Sequence, residues 1–120
     1  MTDEAPAVLG LAALVVDCAD PPGLARWWNS LLAGEIEIDA DGDARLRTTN
    51  GLVIDFLKVP EAKAVKNRLH IDLRVSDLPE ATEQVLRLGA TRADDVYSGG
   101  SWHVLRDPEG NEFCLLGPSL

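Results

Sequence analysis

Apolar and polar positions along this chain form one pattern that occurs twice, about 57 residues apart. Asp20 and Asp77 each follow an apolar run, and each precedes a segment with apolar residues at helical spacing. In the same register, Trp28 corresponds to Val85. Because one such unit cannot bury its apolar face alone, the repeat predicts two modules that pack together. The groove between these modules is the expected functional region.

The first module, about residues 9–60, is predicted to contain one strand, one helix and three further strands. The apolar run at 9–18 predicts a buried strand. Asp20 is a natural N-cap with Pro21 at the first helical position, and Gly34 is placed to end the helix. Three short strands are then expected between residues 35 and 59.

Turn signals separate those three strands. Asp41-Gly42 predicts the first turn, and Asn50-Gly51 is a strong hairpin signal. The polar segment of about residues 60–67 is predicted to link the two modules.

The second module, about residues 68–118, repeats this plan. Asp77 and Glu80 form a capping box for its helix, and Gly89 is placed to end it. The buried face of that helix is predicted to consist of Leu78, Ala81, Val85 and Leu88. The predicted strands lie at residues 68–75, 91–97, 101–106 and 112–116, with a turn at 107–110. The expected fold is therefore α+β: two βαβββ modules that form a curved mixed sheet around a central groove.

Composition limits the class of protein. A chain of 120 residues with 46% hydrophobic and 26% charged residues is typical of one soluble domain, here taken as residues 1–120. We expect a cytoplasmic protein, because no apolar stretch reaches the ~20 residues of a spanning helix and the first residues lack a basic signal-peptide start. The net charge of −9 argues against a nucleic-acid partner. Cys18 and Cys114 lie in apolar runs and are expected to be buried thiols.

Three segments resemble the vicinal oxygen chelate superfamily, which includes glyoxalase I, extradiol dioxygenases and bleomycin-resistance proteins. They are 17–21 (DCADP), 66–73 (KNRLHIDL) and 107–113 (DPEGNEF), and they resemble the small glyoxalase-like subgroup in particular. The resemblance covers about residues 9–118. It implies the duplicated fold described above, a small-molecule ligand and, by analogy, a homodimer.

The resemblance also implies where a metal ion would bind. Metal-dependent members hold a divalent ion with side chains from four strands, two in each module, and the corresponding positions here are Ala13, Asp55, His70 and Cys114. Ala13 offers no donor atom, and a cysteine is unusual for these ions. Asp55 and His70 would need Cys114 or Glu112 to complete a three-ligand site. We therefore expect no metal cofactor, with a divalent ion as the alternative.

His70 allows two interpretations. One is a partly buried histidine that hydrogen-bonds to Asp55 or to a backbone carbonyl. The other is a histidine that contacts a ligand or moves a proton, with Asp55 as its acid/base partner.

The three tryptophans receive different predictions. Trp28 is expected in the core and the adjacent Trp27 at the helix edge, where it could contact another subunit. Trp102 follows a glycine-containing loop and would suit stacking on a flat ligand, with Tyr97 as an opposite wall.

The function predicted from these observations is binding of a small organic molecule in the inter-module groove, without a complete metal site. The candidate lining residues are Asp17, Asp55, His70, Trp102, Glu112 and Cys114. Two alternatives remain open: a metal-dependent lyase, isomerase or dioxygenase of the same superfamily, and a metal-independent enzyme that uses His70 and Asp55 for acid/base chemistry.

Overall fold

The computed structural model describes residues 11–96 and 98–118. Within these residues the elements are, in chain order, β1 (Leu14–Cys18), α1 (Pro21–Leu32), β2 (Glu35–Ile38), β3 (Ala44–Arg47), β4 (Val53–Lys58), β5 (Ile71–Arg74), α2 (Leu78–Arg87), β6 (Thr91–Arg92), β7 (Trp102–Arg106) and β8 (Glu112–Leu116). The predicted tail at residues 1–8 and the first two residues of the predicted strand at 9–18 lie outside the described residues.

The strands form two four-stranded mixed sheets of equivalent topology. Their orders are β1-β4-β3-β2 and β5-β8-β7-β6. The first strand of each module runs parallel to the last, whereas the other neighbours are antiparallel. The first strands start at Leu14 and Ile71 and the helices at Pro21 and Leu78, so both pairs are separated by 57 residues (71 − 14 and 78 − 21). The α+β fold of two βαβββ modules is confirmed.

Helix α1 begins as predicted but ends differently. The Asp20 carboxylate accepts a hydrogen bond from the Gly23 N–H at 3.2 Å, as an N-cap does. At the other end, the residue in the left-handed conformation is Ala33, with φ of 52°, and not Gly34. Gly34 is required for a different reason, since a Cβ there would lie 2.1 Å from the carbonyl oxygen of Arg47. The prediction that Gly34 ends the helix is corrected accordingly.

Helix α2 also corrects one prediction. Asp77 caps it by accepting from the Glu80 N–H at 3.1 Å. Its buried face consists of Leu78, Thr82 and Val85, whereas Leu88 is exposed. Thr82 can be buried because its hydroxyl donates to the Leu78 carbonyl at 2.8 Å, which satisfies the polar group within the helix.

Three predicted strands are shorter than the sequence indicated. Among the described residues, β1 begins at Leu14, so residues 11–13 of the strand predicted at 9–18 are not part of it. β5 begins at Ile71 and not at residue 68, and β6 spans Thr91–Arg92 instead of 91–97. Residues 68–70 and 93–96, which were predicted as parts of β5 and β6 but lie outside them, line two cavities. The cavity lined by residues 68–70 lies between the modules. The hairpin turns are as predicted, with Gly42 and Gly51 at positive φ.

One apolar core joins the two modules. Trp28 is 3% exposed, as predicted, and its ring centroid lies 5.1 Å from that of Phe113 in the second module. Trp27 contacts the same phenylalanine at 5.7 Å and donates its indole N–H to the Leu88 carbonyl at 2.9 Å. The Trp27 indole therefore makes its contacts within its own chain. The predicted thiols are confirmed, because Cys18 and Cys114 are both buried and free.

Each sheet turns one face to this core. Along β3, Ala44 and Leu46 are buried under the core, while Arg45 and Arg47 are exposed on the other side. The opposite face is here called the open face of the sheet. It presents several of the candidate functional side chains predicted from sequence, among them Asp55 and Cys114. Among the described residues, no helix is long and apolar enough to cross a membrane.

Candidate functional site

A cavity of about 740 Å³ lies between the modules. Its walls are largely apolar and include Leu14, Val16, Trp28, Ile54, Phe56 and Ile71. Its polar lining includes Asp17, Asn67, Arg68, His70, Asp107 and Glu112. An apolar concavity with a few polar groups is the usual form of a small-molecule site.

The cavity contains only half of the predicted lining. Asp17, His70 and Glu112 contribute to its wall. Asp55 lies on the open face of the first sheet, beside Arg45 across the β3–β4 hairpin. Trp102 and Cys114 lie on β7 and β8 of the second sheet. The structure thus places Asp55, Trp102 and Cys114 outside the cavity lining.

Asp55 is held by an arginine that sequence reasoning missed. Its two carboxylate oxygens accept from Nε and Nη2 of Arg45 at 2.6 and 2.8 Å. This hydrogen-bonded pair lowers the pKa of Asp55 below its ordinary value. The signal was present in the sequence, because a hairpin turn near Asn50 places positions 45 and 55 opposite each other.

Glu112 is buried and fully engaged. Its side chain is 1% exposed and accepts from Lys63 Nζ at 2.9 Å, Arg106 Nε at 2.9 Å and the Asn67 N–H at 2.6 Å. Burial alone would raise the pKa of Glu112, but these three donors outweigh burial and hold the pKa at about 2. Glu112 therefore fastens the linker to β8 as a carboxylate and is not a free base.

His70 has a partner other than the one predicted. Its Nε2 lies 3.2 Å from a carboxylate oxygen of Asp72, two residues further along the chain. One donor atom each of His70, Asp72 and Cys114 lie within 4.8 Å of one another, a grouping suited to a metal ion. Burial, and then the negative charge of Asp72, raise the pKa of the Cys114 thiol to about 11. Asp72 was missed, although alternation along a strand places it on the same face as His70.

The turn that follows β7 lines the cavity and joins the modules. Asp107 is 3% exposed, and its carboxylate accepts from Trp28 Nε1 at 3.0 Å. The neighbouring Glu109 accepts from the backbone N–H groups of Ala19 and Asp20 at 2.7 and 2.9 Å, at the start of α1. These contacts fix the first helix against the second module.

Trp102 is half-buried on the open side of the second sheet. It packs with Val96 and Leu116 around the small cluster that contains Cys114. Gly99 lies directly over its ring, since a Cβ at that glycine would be 2.4 Å from the indole. Stacking of Trp102 on a ligand stays a prediction, and Tyr97, its predicted opposite wall, lies outside the described residues.

Comparison with known proteins places this geometry in a family. The glyoxalase-like domain family matches residues 13–116, so the chain belongs to that family, within the vicinal oxygen chelate superfamily. No curated protein sequence matches the chain significantly.

Solved structures show the same fold at low identity. FosX, a fosfomycin resistance protein from Listeria monocytogenes, has a TM-score of 0.72 at 16% identity over 94% of both chains. FosX from Mesorhizobium loti has a TM-score of 0.70 at 15% identity over 91% of both chains. A glyoxalase/bleomycin resistance protein/dioxygenase family enzyme from Burkholderia phytofirmans has a TM-score of 0.68 at 17% identity, over 88% of this chain and 96% of that one. A point mutant of the Listeria FosX has been solved with Mn(II) and 1S,2S-dihydroxypropylphosphonic acid.

The residues of this chain do not fit the four-ligand metal centre that the resemblance implies. The side chain of Ala13 has no atom that can bind a metal. Both carboxylate oxygens of Asp55 already accept hydrogen bonds from Arg45. A metal at those four positions would have to displace that arginine and do without one ligand. His70 and Cys114 are grouped with Asp72 instead.

Proposed function

We propose that the chain binds a small organic molecule in the inter-module cavity, without a four-ligand metal centre. The observation that carries this proposal is the cavity itself, whose walls are mainly apolar side chains from both modules. Removal of apolar ligand surface from water favours binding by about 25 cal/mol per Å², from which the entropic cost of association is subtracted. Polar groups along one side of the cavity would then set the orientation of the ligand.

Within the polar lining, which also contains the carboxylates of Asp17, Asp107 and Glu112, the cationic Arg68 favours a ligand with an anionic or hydrogen-bond-accepting head group. Glu112 and Asp107 use their carboxylates for the contacts described above. In the described part of the chain, Arg68 has no hydrogen-bond or ion-pair partner, and its neighbour at position 70 is the histidine of the His70–Asp72 pair. The proposed ligand therefore combines an apolar body with a carboxylate or phosphonate that faces Arg68 and His70. The phosphonic acid bound by the Listeria FosX mutant belongs to this class.

Calorimetric titration with aliphatic carboxylates, aromatic carboxylates and alkylphosphonates, fosfomycin among them, tests this proposal. We expect saturable binding to one or more members, weakened at least about tenfold in Arg68→Ala. Arg26→Ala, on the exposed side of α1, is the matched control and should bind like the unmodified chain. Absence of saturable binding across the panel, or equal loss in both variants, would refute the proposal.

Acid/base catalysis is a second candidate because of one specific contact. His70 lines the cavity and lies 3.2 Å from the Asp72 carboxylate, which is the arrangement of a base oriented by a carboxylate. Recovery of the bound ligand after incubation distinguishes the two functions. Unchanged ligand means sequestration, whereas conversion that is lost in Asp72→Asn means catalysis.

We propose further that the chain forms a homodimer through the open face of its first sheet. On the open face of the first sheet, Leu57 is 37% exposed, and Val15, which also lines the cavity, is 56% exposed. A second copy would cover these apolar side chains and bring the Asp55 surface of one chain near its partner. We also propose that the protein is located in the cytoplasm.

A further inference from the structure

We propose that His70, Asp72 and Cys114 bind one thiophilic divalent cation, zinc in preference to manganese, within the second module. This inference does not depend on the organic ligand proposed above. It concerns a three-residue set that shares His70 and Cys114 with the superfamily positions but uses Asp72 in place of position 13 and Asp55.

The backbone brings the three donors together. Asp72 and Cys114 are register partners on the parallel strands β5 and β8. His70 lies directly before β5, and its imidazole contacts the carboxylate of Asp72 two residues further along the chain. The three donor atoms lie within 4.8 Å of one another, and the histidine nitrogen is 3.2 Å from the carboxylate. Tetrahedral zinc with bonds of about 2.0–2.3 Å separates its ligand atoms by roughly 3.3–3.7 Å. Small side-chain movements would complete this geometry.

The chemistry of the donors selects the ion. A sulfur, an imidazole nitrogen and a carboxylate oxygen form a ligand set suited to zinc, whereas manganese prefers sites made of oxygen. Cys114 is 7% exposed, while the side chains of His70 and Asp72 are 40% and 47% exposed. The sulfur is thus shielded and the other two donors face solvent. This arrangement leaves an entry path and one open coordination position.

Metal titration of the full chain tests the inference. We expect one Zn²⁺ per chain by equilibrium dialysis with metal analysis, and an affinity for Mn²⁺ at least about 100-fold lower. Co²⁺, used as a spectroscopic substitute, should give the near-ultraviolet absorption of a thiolate–cobalt bond. His70→Ala, Asp72→Asn and Cys114→Ser should each lower zinc affinity by about 100-fold or more, since even partners outside the ligand set cost 10–100-fold.

Matched variants distinguish this site from the other buried thiol and from the superfamily ligand position. Cys18→Ser removes the other buried thiol, and Asp55→Asn changes the superfamily ligand position on β4. Both variants should bind zinc like the unmodified chain. Circular dichroism identifies any variant that fails to fold, and the cobalt spectrum of the unmodified chain does not depend on the variants.

Three results would overturn the inference. They are failure of the unmodified chain to bind zinc, manganese affinity equal to that of zinc, and a loss in Asp55→Asn as large as that in His70→Ala.

Discussion

Single residues of this protein gain their roles from partners that lie far away in the chain. Glu112 shows this most clearly, because its buried carboxylate is tolerated only through donors from the linker and from β7. Removal of one member of such a buried set typically costs several kcal/mol. The linker therefore depends on one side chain for its position beside the cavity.

Glu112→Gln should lower the free energy of unfolding near neutral pH by about 2–4 kcal/mol, because it removes the charge that three donors share. The pKa of Glu112 is about 2 in the folded chain against an ordinary 4.5. A carboxyl group with a depressed pKa stabilises above its unfolded pKa and loses that effect as pH falls. The difference between the unmodified chain and the variant should thus shrink by about 2 kcal/mol from pH 5.5 to pH 3.

Urea denaturation at several pH values measures this difference. Glu83→Gln, at an exposed site on α2, is the control and should change stability by less than about 0.5 kcal/mol at every pH. A difference between the chain and Glu112→Gln that stays constant with pH would contradict the role given to Glu112.

The residues of the candidate site were only partly predictable. His70 and Glu112 were identified from the segments that carry the family resemblance, and both line the cavity. The partners Asp72 and Arg45 were missed, because they meet His70 and Asp55 only through the geometry of strands. The apolar cavity walls carry no chemical signal in the sequence, since core positions look alike whether or not they face a cavity.

Among the helices and strands, local signals predicted starts better than ends. Both helices begin at the predicted aspartate caps, because an N-cap and its hydrogen bond are encoded within three residues. The end of α1 and the buried face of α2 were wrong in detail. Gly34 serves a contact with β3, and Thr82 is buried through a hydrogen bond to its own helix. Neither effect is visible in a hydrophobic pattern.

Ala33→Gly should raise the free energy of unfolding by about 1 kcal/mol, because Ala33 holds a left-handed conformation that glycine adopts without strain. Gly34→Ala should lower it by about 2 kcal/mol or more, because the new methyl group would overlap the Arg47 carbonyl. Thermal and urea denaturation of the two neighbouring variants test both signs. A Gly34→Ala variant more stable than Ala33→Gly would contradict this description of the helix end.

In the molecule as a whole, the repeat predicted the architecture and the core confirms it. The two modules meet through Trp27, Trp28 and Phe113, so the helix of the first module completes the core of the second. This packing leaves Val15 and Leu57 exposed on the open face of the first sheet.

Leu57→Glu should convert the proposed dimer to a monomer, because it would place a charge in an apolar contact on the open face of the first sheet. Leu88→Glu is the control, since Leu88 is also exposed but lies beyond α2. Light scattering after size-exclusion chromatography gives the mass of each variant. A dimer that persists in Leu57→Glu, or an unmodified chain that is monomeric at all concentrations, would contradict the proposed interface.

Fluorescence of Trp28 is the decisive test of ligand binding between the modules, because this side chain lines the cavity whereas the other tryptophans do not. Trp27→Phe combined with Trp102→Phe leaves Trp28 as the single reporter. Titration with a ligand identified by calorimetry should produce a saturable change in Trp28 emission. Ala13→Phe, which fills part of the cavity, should abolish that change while the chain remains folded. An unchanged Trp28 signal, or one that saturates equally in Ala13→Phe, would show that the ligand binds elsewhere.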